Sequence, residues 1–237
     1  MNSFIESQTW GQAATNRAAQ ASLMRSVYVW MTLALAITGL TALYVAKSMT
    51  LINLMLQNSM LFWGLLIAEV GVVMYLTARI HRMTFTTATV LFILYSLLNG
   101  VTLSVLFLVY TLSSIATTFF VTAGTFGVMA VAGMVTRRDL SRIGSLCVMG
   151  VIGIIIASVV NLFLHNSVMD LVISCAGVLL FVGLTAYDAQ KIKRLLMTEG
   201  TEVNEGTQKI ALLGAMTLYL DFINLFIYLL RLMGDRK

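Results

Sequence analysis

Long apolar runs separated by short polar connections dominate this chain. Seven of them, at about 27–46, 59–78, 87–109, 115–135, 144–164, 169–190 and 210–231, are of spanning length. A helix of that length crosses about 30 Å of hydrocarbon. The pattern predicts an all-α membrane protein, a seven-transmembrane-helix bundle. Residues 1–25 read as a polar cytoplasmic tail, and residues 26–237 as one transmembrane domain with no segment polar enough to fold separately. The first apolar run follows that polar stretch and is long enough to span, so no cleavable signal peptide is expected.

Acids interrupt the apolar pattern. Asp188 lies near the end of LVISCAGVLLFVGLTAYD, and Asp221 sits inside ALLGAMTLYLDFINLFIYLL. An ionised carboxylate in a bilayer costs at least about 2.5–3.5 kcal/mol, so such residues usually face a bundle interior or a wet cavity and mark an ion or proton path. In the last run Gly214, Thr217, Asp221, Asn224, Tyr228 and Arg231 recur every three or four residues, which places them on one helical face. A helix with one polar seam and an oily remainder belongs in the middle of a bundle. The sixth run offers a facing seam of Ser174, Gly177, Phe181, Thr185 and Asp188.

If Asp188 and Asp221 meet, they share a proton rather than both ionising, and they titrate as a unit. Deprotonated, they present hard oxygens that suit Ca²⁺, which makes them the candidate metal ligands. The competing reading is that each acid pairs with a basic residue or accepts an interhelical hydrogen bond. Glu69, midway along the second run, either lines the same path or bonds a neighbouring helix. Thr185, Thr217, Asn224 and Tyr228 are further pore-lining candidates. Asp170 reads as a helix N-terminal cap or dipole partner.

Charge then sets orientation. With the N-terminus in the cytoplasm, eleven of the fifteen Lys and Arg residues fall on the inner side, as the positive-inside rule requires. The exception is the C-terminus, where seven crossings leave Arg231, Arg236 and Lys237 outside; a re-entrant last segment would bring them in. This distribution accounts for the basic pI without nucleic acid. The stretch MTEGTEVNEGTQ is expected as a solvated cytoplasmic loop. Arg79, at the end of the second run, either snorkels to headgroups or reaches inward as a counter-charge.

Little else suggests chemistry. Cys147 and Cys175 read as small buried apolar residues, His81 and His165 form no ligand cluster, and no serine has a histidine and acid partner. The chain is expected to be non-enzymatic, with no cofactor. It contains no proline, so helix breaks must come from glycine or polar side chains. Ser96, Gly100 and Ser104 form successive small-xxx-small steps for close helix packing.

The motifs GLTAYDAQKIK (183–193) and LYLDFINLFIYLLRLMG (218–234), with LTARIHRM (76–83), YSLLNGVTLS (95–104) and MGVIGIIIASVVNLFL (149–164), resemble a bacterial member of the Bax-inhibitor family, the transmembrane Bax inhibitor motif proteins. The resemblance implies a seven-helix bundle with the C-terminal helix central, in the bacterial inner membrane. It also implies a pH-sensitive calcium leak whose sensing aspartates match Asp188 and Asp221. An arginine latch on that pair matches Arg79, with Arg82 close by. Some relatives are associated with a membrane-bound quality-control protease, which leaves regulation of such a protease as an alternative. A third alternative, proton-coupled transport of a solute, follows from the intramembrane acids. The partners expected are therefore the lipid bilayer, Ca²⁺ and protons, and in the alternative a membrane protease.

Overall fold

The computed structural model describes the backbone of residues 2–200 and 202–237, and the side chains of 15–55, 57–200 and 202–237. The helices in chain order are α1 (Asn2–Lys47), α2 (Met49–Gln57), α3 (Ser59–Arg79), α4 (Phe85–Leu103), α5 (Leu106–Val109), α6 (Leu112–Val135), α7 (Ser141–Leu164), α8 (Ser167–Glu199) and α9 (Glu205–Met233). Among the described residues, seven helices are long and apolar enough to cross a membrane. The fold is an all-α membrane bundle, and each predicted run falls within one of the seven. Helix α1 passes through the expected tail boundary at residue 25 without a break. The side chains of the first fourteen residues of that tail lie outside the described residues.

Burial singles out the last helix. In α9, 67% of the apolar window is buried inside the protein, against 11% to 33% in the other spans. It packs against α1, α4, α6 and α8, while α3 leans on α4 and α7 on α8. The C-terminal helix is therefore central, but four helices rather than six enclose it. The outer helices turn Leu, Ile, Val and Phe side chains outward, which is the arrangement lipid requires rather than water.

Each helix supplies an apolar or small-residue stripe for this packing. Leu23, Val27, Met31, Ala34, Thr38, Ala42 and Val45 recur every three or four residues along α1 and are all buried. Gly100 lies so close to α1 that an added Cβ would sit 2.7 Å from the Thr38 carbonyl oxygen. Ser96 accepts a hydrogen bond on its carbonyl from Thr38 Oγ1 at 3.0 Å. The small-residue steps of α4 thus seat α1, as their spacing predicts.

Among the described residues, helix interruption without proline occurs once within a span, between α4 and α5. Ser104 Oγ donates to the Val101 carbonyl at 2.6 Å, and the Ser104 N–H is shared between Gly100 and Val101. A polar side chain makes the break.

Three expectations need correction. The connection between α1 and α3 holds an unforeseen helix, α2, whose Ile52 and Met55 cover Val45 in a small satellite core. Its apolar residues lie too few in number to register as a span. The MTEGTEVNEGTQ stretch is mostly helix: α8 runs to Glu199 and α9 begins at Glu205, closed by an Asn204–Thr207 capping box. Cys147 is buried, but Cys175 is exposed on the outward face of α8. A thiol is apolar enough for a lipid-facing position.

One end of the bundle carries the 80–84, 136–140 and 200–204 connections, flanked by Arg79, Arg82, Arg137, Arg138, Lys193 and Lys209. The C-terminus emerges at the other end. There residues 234–237 are tied to the α5–α6 connection by an antiparallel bridge between Tyr110 and Arg236. Thr111 N–H donates to the Asp235 carbonyl, and Lys237 N–H to that of Val109. The last helix crosses completely and does not re-enter.

Candidate functional site

Asp188 and Asp221 depend on the extra length of the last two helices. Helix α8 continues eleven residues beyond Asp188, and α9 begins sixteen residues before Asp221. Running antiparallel past the basic end, they bring the two acids to one depth. The carboxyls are in side-chain hydrogen-bonding contact. Asp188 is 8% exposed and Asp221 5%. Asp221 Oδ2 is buried without a hydrogen-bond donor from any backbone, amide, hydroxyl or cationic group among the described residues. Buried polar atoms are normally satisfied, so this oxygen is an exception that asks for a proton, a water or a cation.

The walls of the pair are apolar or self-satisfied. Thr185 Oγ1 donates to the Phe181 carbonyl of its own helix, Thr217 Oγ1 to Leu213, and Asn224 Nδ2 to Leu220. These residues lie along the seam but supply no donor to the acids. Seven residues further along each helix, or about 10 Å at 1.5 Å per residue, Phe181 and Tyr228 stack with ring centroids 5.8 Å apart. Gly177 lets that stack form, because a Cβ there would meet the Tyr228 ring at 2.6 Å. The stack closes the α8–α9 seam on the side away from the basic end.

The cation whose charge bears on Asp188 is Lys191, three residues on. Its ammonium sits 5.8 Å from the Tyr187 ring centroid. Arg79 is exposed at the end of α3, a helix that packs on α4, and it forms no ion pair among the described residues. The structure does not bring Arg79 to the carboxyl pair. In the sequence Lys191 counts only among the inner-side cations, and its i+3 spacing from Asp188 is the signal that points to this role.

Gln190, which carries no local signal in the sequence, is 5% exposed and clamps the 136–140 connection to α8. It accepts from Leu140 N–H at 3.0 Å and donates to the Arg138 carbonyl at 2.9 Å. Lys193 adds a bond to the Met134 carbonyl, and Arg194 pairs with Asp139 at 2.9 Å. Asp188 therefore stands at the root of a helix segment fixed to the basic end.

Glu69 takes the second of the two roles open to it. It is buried between α3 and α4, accepting a short hydrogen bond from Thr102 and a longer one, 3.5 Å, from Asn99 Nδ2. Asn99 Nδ2 also reaches Tyr95 Oη at 3.3 Å, and the Tyr95 ring meets Tyr219 edge-on. This cluster faces the side of α9 away from Asp221. Asp170 lies in the first turn of α8, the place of a dipole partner, while Asn166 supplies the cap; Asp170 also approaches Arg231 and Arg236.

A seven-span helical bundle whose enclosed last helix shares a buried carboxyl pair with its neighbour defines the class. The sequence profile described as Inhibitor of apoptosis-promoting Bax1 matches residues 20–237. The chain belongs to that family, the Bax inhibitors, and is a membrane protein. It is 45% identical over 221 residues to the inner membrane protein YbhL of Escherichia coli strain K12, covering 93% of this chain and 94% of that one. An uncharacterised protein of Borreliella burgdorferi is 41% identical over 216 residues, covering 90% and 92%. The uncharacterised protein RP147 of Rickettsia prowazekii is 44% identical over 216 residues, covering 90% and 89%.

Proposed function

We propose that this protein is a non-enzymatic, pH-regulated cation leak of a bacterial inner membrane, with Ca²⁺ as the preferred ion and Asp188 and Asp221 as its gate. The observation that carries the reading is the buried contact of the two carboxyls, with one oxygen left without a donor. Two bare carboxylates in that position repel, and burial leaves them little water to screen the repulsion. The arrangement described here is then the protonated one, with a single proton closing a hydrogen bond between α8 and α9.

Raising the pH removes that proton. The carboxylates separate, α8 and α9 lose their clasp, and the hard anionic oxygens become available to Ca²⁺. Protonation closes the path and deprotonation opens it, so flux rises with pH. The Phe181–Tyr228 stack must part in the open form. With the basic connections toward the cytoplasm, as the positive-inside rule places them, the pair lies nearer the inner leaflet. Lys191 is the cation beside the pair in the closed form, where its positive charge favours opening, and an Arg79 latch requires α3 to move against α8 and α9.

The test is Ca²⁺ uptake into proteoliposomes over about pH 6–8 with the wild type, Asp188→Asn and Asp221→Asn. A pH-dependent wild-type flux that flattens in both variants supports the gate. Flux indistinguishable from wild type at every pH in both variants rejects it.

A further inference from the structure

We infer that the end of the bundle opposite the basic connections holds a binding site for a phosphate group. A cavity of about 420 Å³ opens there between the ends of α7, α8 and α9. Arg231, from the last turn of α9, and Arg236, from the C-terminal tail, both point at Asp170. The bridge to Tyr110 fixes Arg236 on held backbone.

The ion pairs are incomplete. Arg231 lies 3.8 Å and Arg236 3.9 Å from Asp170, whereas a charge-assisted N–H···O bond is about 2.7–2.9 Å. One carboxylate faces two guanidiniums, each with five N–H donors. The rest of the lining is biased the same way. Asn161 Oδ1 accepts from Asn166 N–H, and Asn166 Oδ1 accepts from Val168 and Met169 N–H. Both amides thereby spend their acceptors on backbone and keep their N–H₂ groups as donors. His165, held at a left-handed φ of 51° by the α7–α8 turn, adds its ring to the same wall.

A cavity rich in donors, carrying two positive charges and one negative, selects an oxyanion that several N–H groups can grip at once. Phosphate fits that description. Position supports it independently. The first turn of α8 and the last turn of α9 are the ends of two spans, the depth at which lipid phosphates lie. Beside the cavity Phe163 and Val168 are exposed by 78% and 67%, apolar ground for acyl chains. The same chemistry is carried by the headgroup of an anionic phospholipid and by free phosphate. None of these residues belongs to the carboxyl pair, so the site stands whether or not the leak does.

Native mass spectrometry of the full-length protein, loaded with phosphatidylglycerol or phosphatidylethanolamine, tests it. Phosphatidylglycerol should be retained preferentially. Arg236→Gln and Arg231→Gln should each cut that retention about threefold to tenfold, the loss of one exposed charge-assisted contact. Asp170→Asn, which removes the competing carboxylate, should raise it. Displacement of the lipid by millimolar inorganic phosphate identifies free phosphate as the ligand, and resistance to it identifies the headgroup. Equal retention of both lipids, unchanged in Arg236→Gln and Asp170→Asn, overturns the proposal. Should Arg231→Gln fail to fold, those two exposed-site variants still decide it.

Discussion

Helix α9 has two polar faces, and they solve the problem of buried oxygen differently. On one, Tyr219 Oη is 2.7 Å from Thr38 Oγ1 and its ring stands edge-on to Tyr95 and Phe92. Across that layer Glu69 meets a donor at each carboxylate oxygen, from Thr102 and Asn99. On the other face, Asp221 meets only another acid and keeps an oxygen without a donor. A carboxyl supplied with neutral donors has no need of a mobile proton or an ion. One supplied with a second carboxyl does. The contrast makes Glu69 interhelical glue, and it is the ground on which the proposed gate is placed at the aspartate pair instead.

The largest effect should come from the pair itself. Asp221→Asn replaces the proton-sharing acid by a permanent neutral donor, so the rise of Ca²⁺ flux with pH should collapse to less than about twofold over two pH units. A single shared proton would otherwise permit a change approaching tenfold per unit. A preserved pH response in this variant would erase the distinction between the two faces.

Next in size is Glu69→Gln. It keeps the shape but weakens the bonds to Thr102 and Asn99, costing about 1–2 kcal/mol, as interhelical hydrogen bonds in membranes do at their upper range. Melting in detergent should fall while the pH profile of flux keeps its shape. A flattened profile would move Glu69 into the gate.

Lys191→Gln should move the flux rise to higher pH, because losing a nearby positive charge favours the protonated, closed pair. Arg79→Gln, remote from the pair in this state, should leave the midpoint in place. A shift with Arg79 alone would restore the latch that the family resemblance implies. Tyr219→Phe removes one hydrogen bond, to Thr38, at about 0.6 kcal/mol, with no change in gating.

The smallest effect serves as a control. Hydrogen bonds from Ser141 and the pairing with Arg194 hold the Asp139 carboxyl at about 2. Its contribution to stability is complete above the ordinary carboxylate value and is lost only as the pH falls toward 2. Asp139→Asn should therefore shift melting equally at pH 6 and pH 8. A differential shift would mean that a second group titrates in the window assigned to the aspartates.

Much of this was readable in advance because a bilayer leaves the chain few options. Runs of spanning length must be helices, so the seven spans stood out. The seam through Gly214, Thr217, Asp221, Asn224 and Tyr228 marked α9 as enclosed, and it is. Residues with a local signature were legible as well, among them the Ser96–Gly100–Ser104 steps and the break without proline. Residues whose meaning depends on a distant partner were not. Nothing near Gln190 announces that it clamps residues 138 and 140, and nothing near Asp170 announces two arginines sixty residues away.

Arg79 and Glu69 show the same limit from the other side. Each is a charged residue near or within a span, with two reasonable fates at the level of sequence. Packing of α3 against α4 decided both, burying Glu69 between Asn99 and Thr102 and leaving Arg79 at the surface. By itself the sequence determined which segments cross the membrane, which helix is enclosed and which acids are out of place, because hydropathy and helical period act over neighbouring residues. Tertiary structure alone decided which acids touch, which are satisfied by donors and which cation stands beside them. Those are properties of distances between helices, and a carboxyl's chemistry is set by whatever lies within a few ångströms of it.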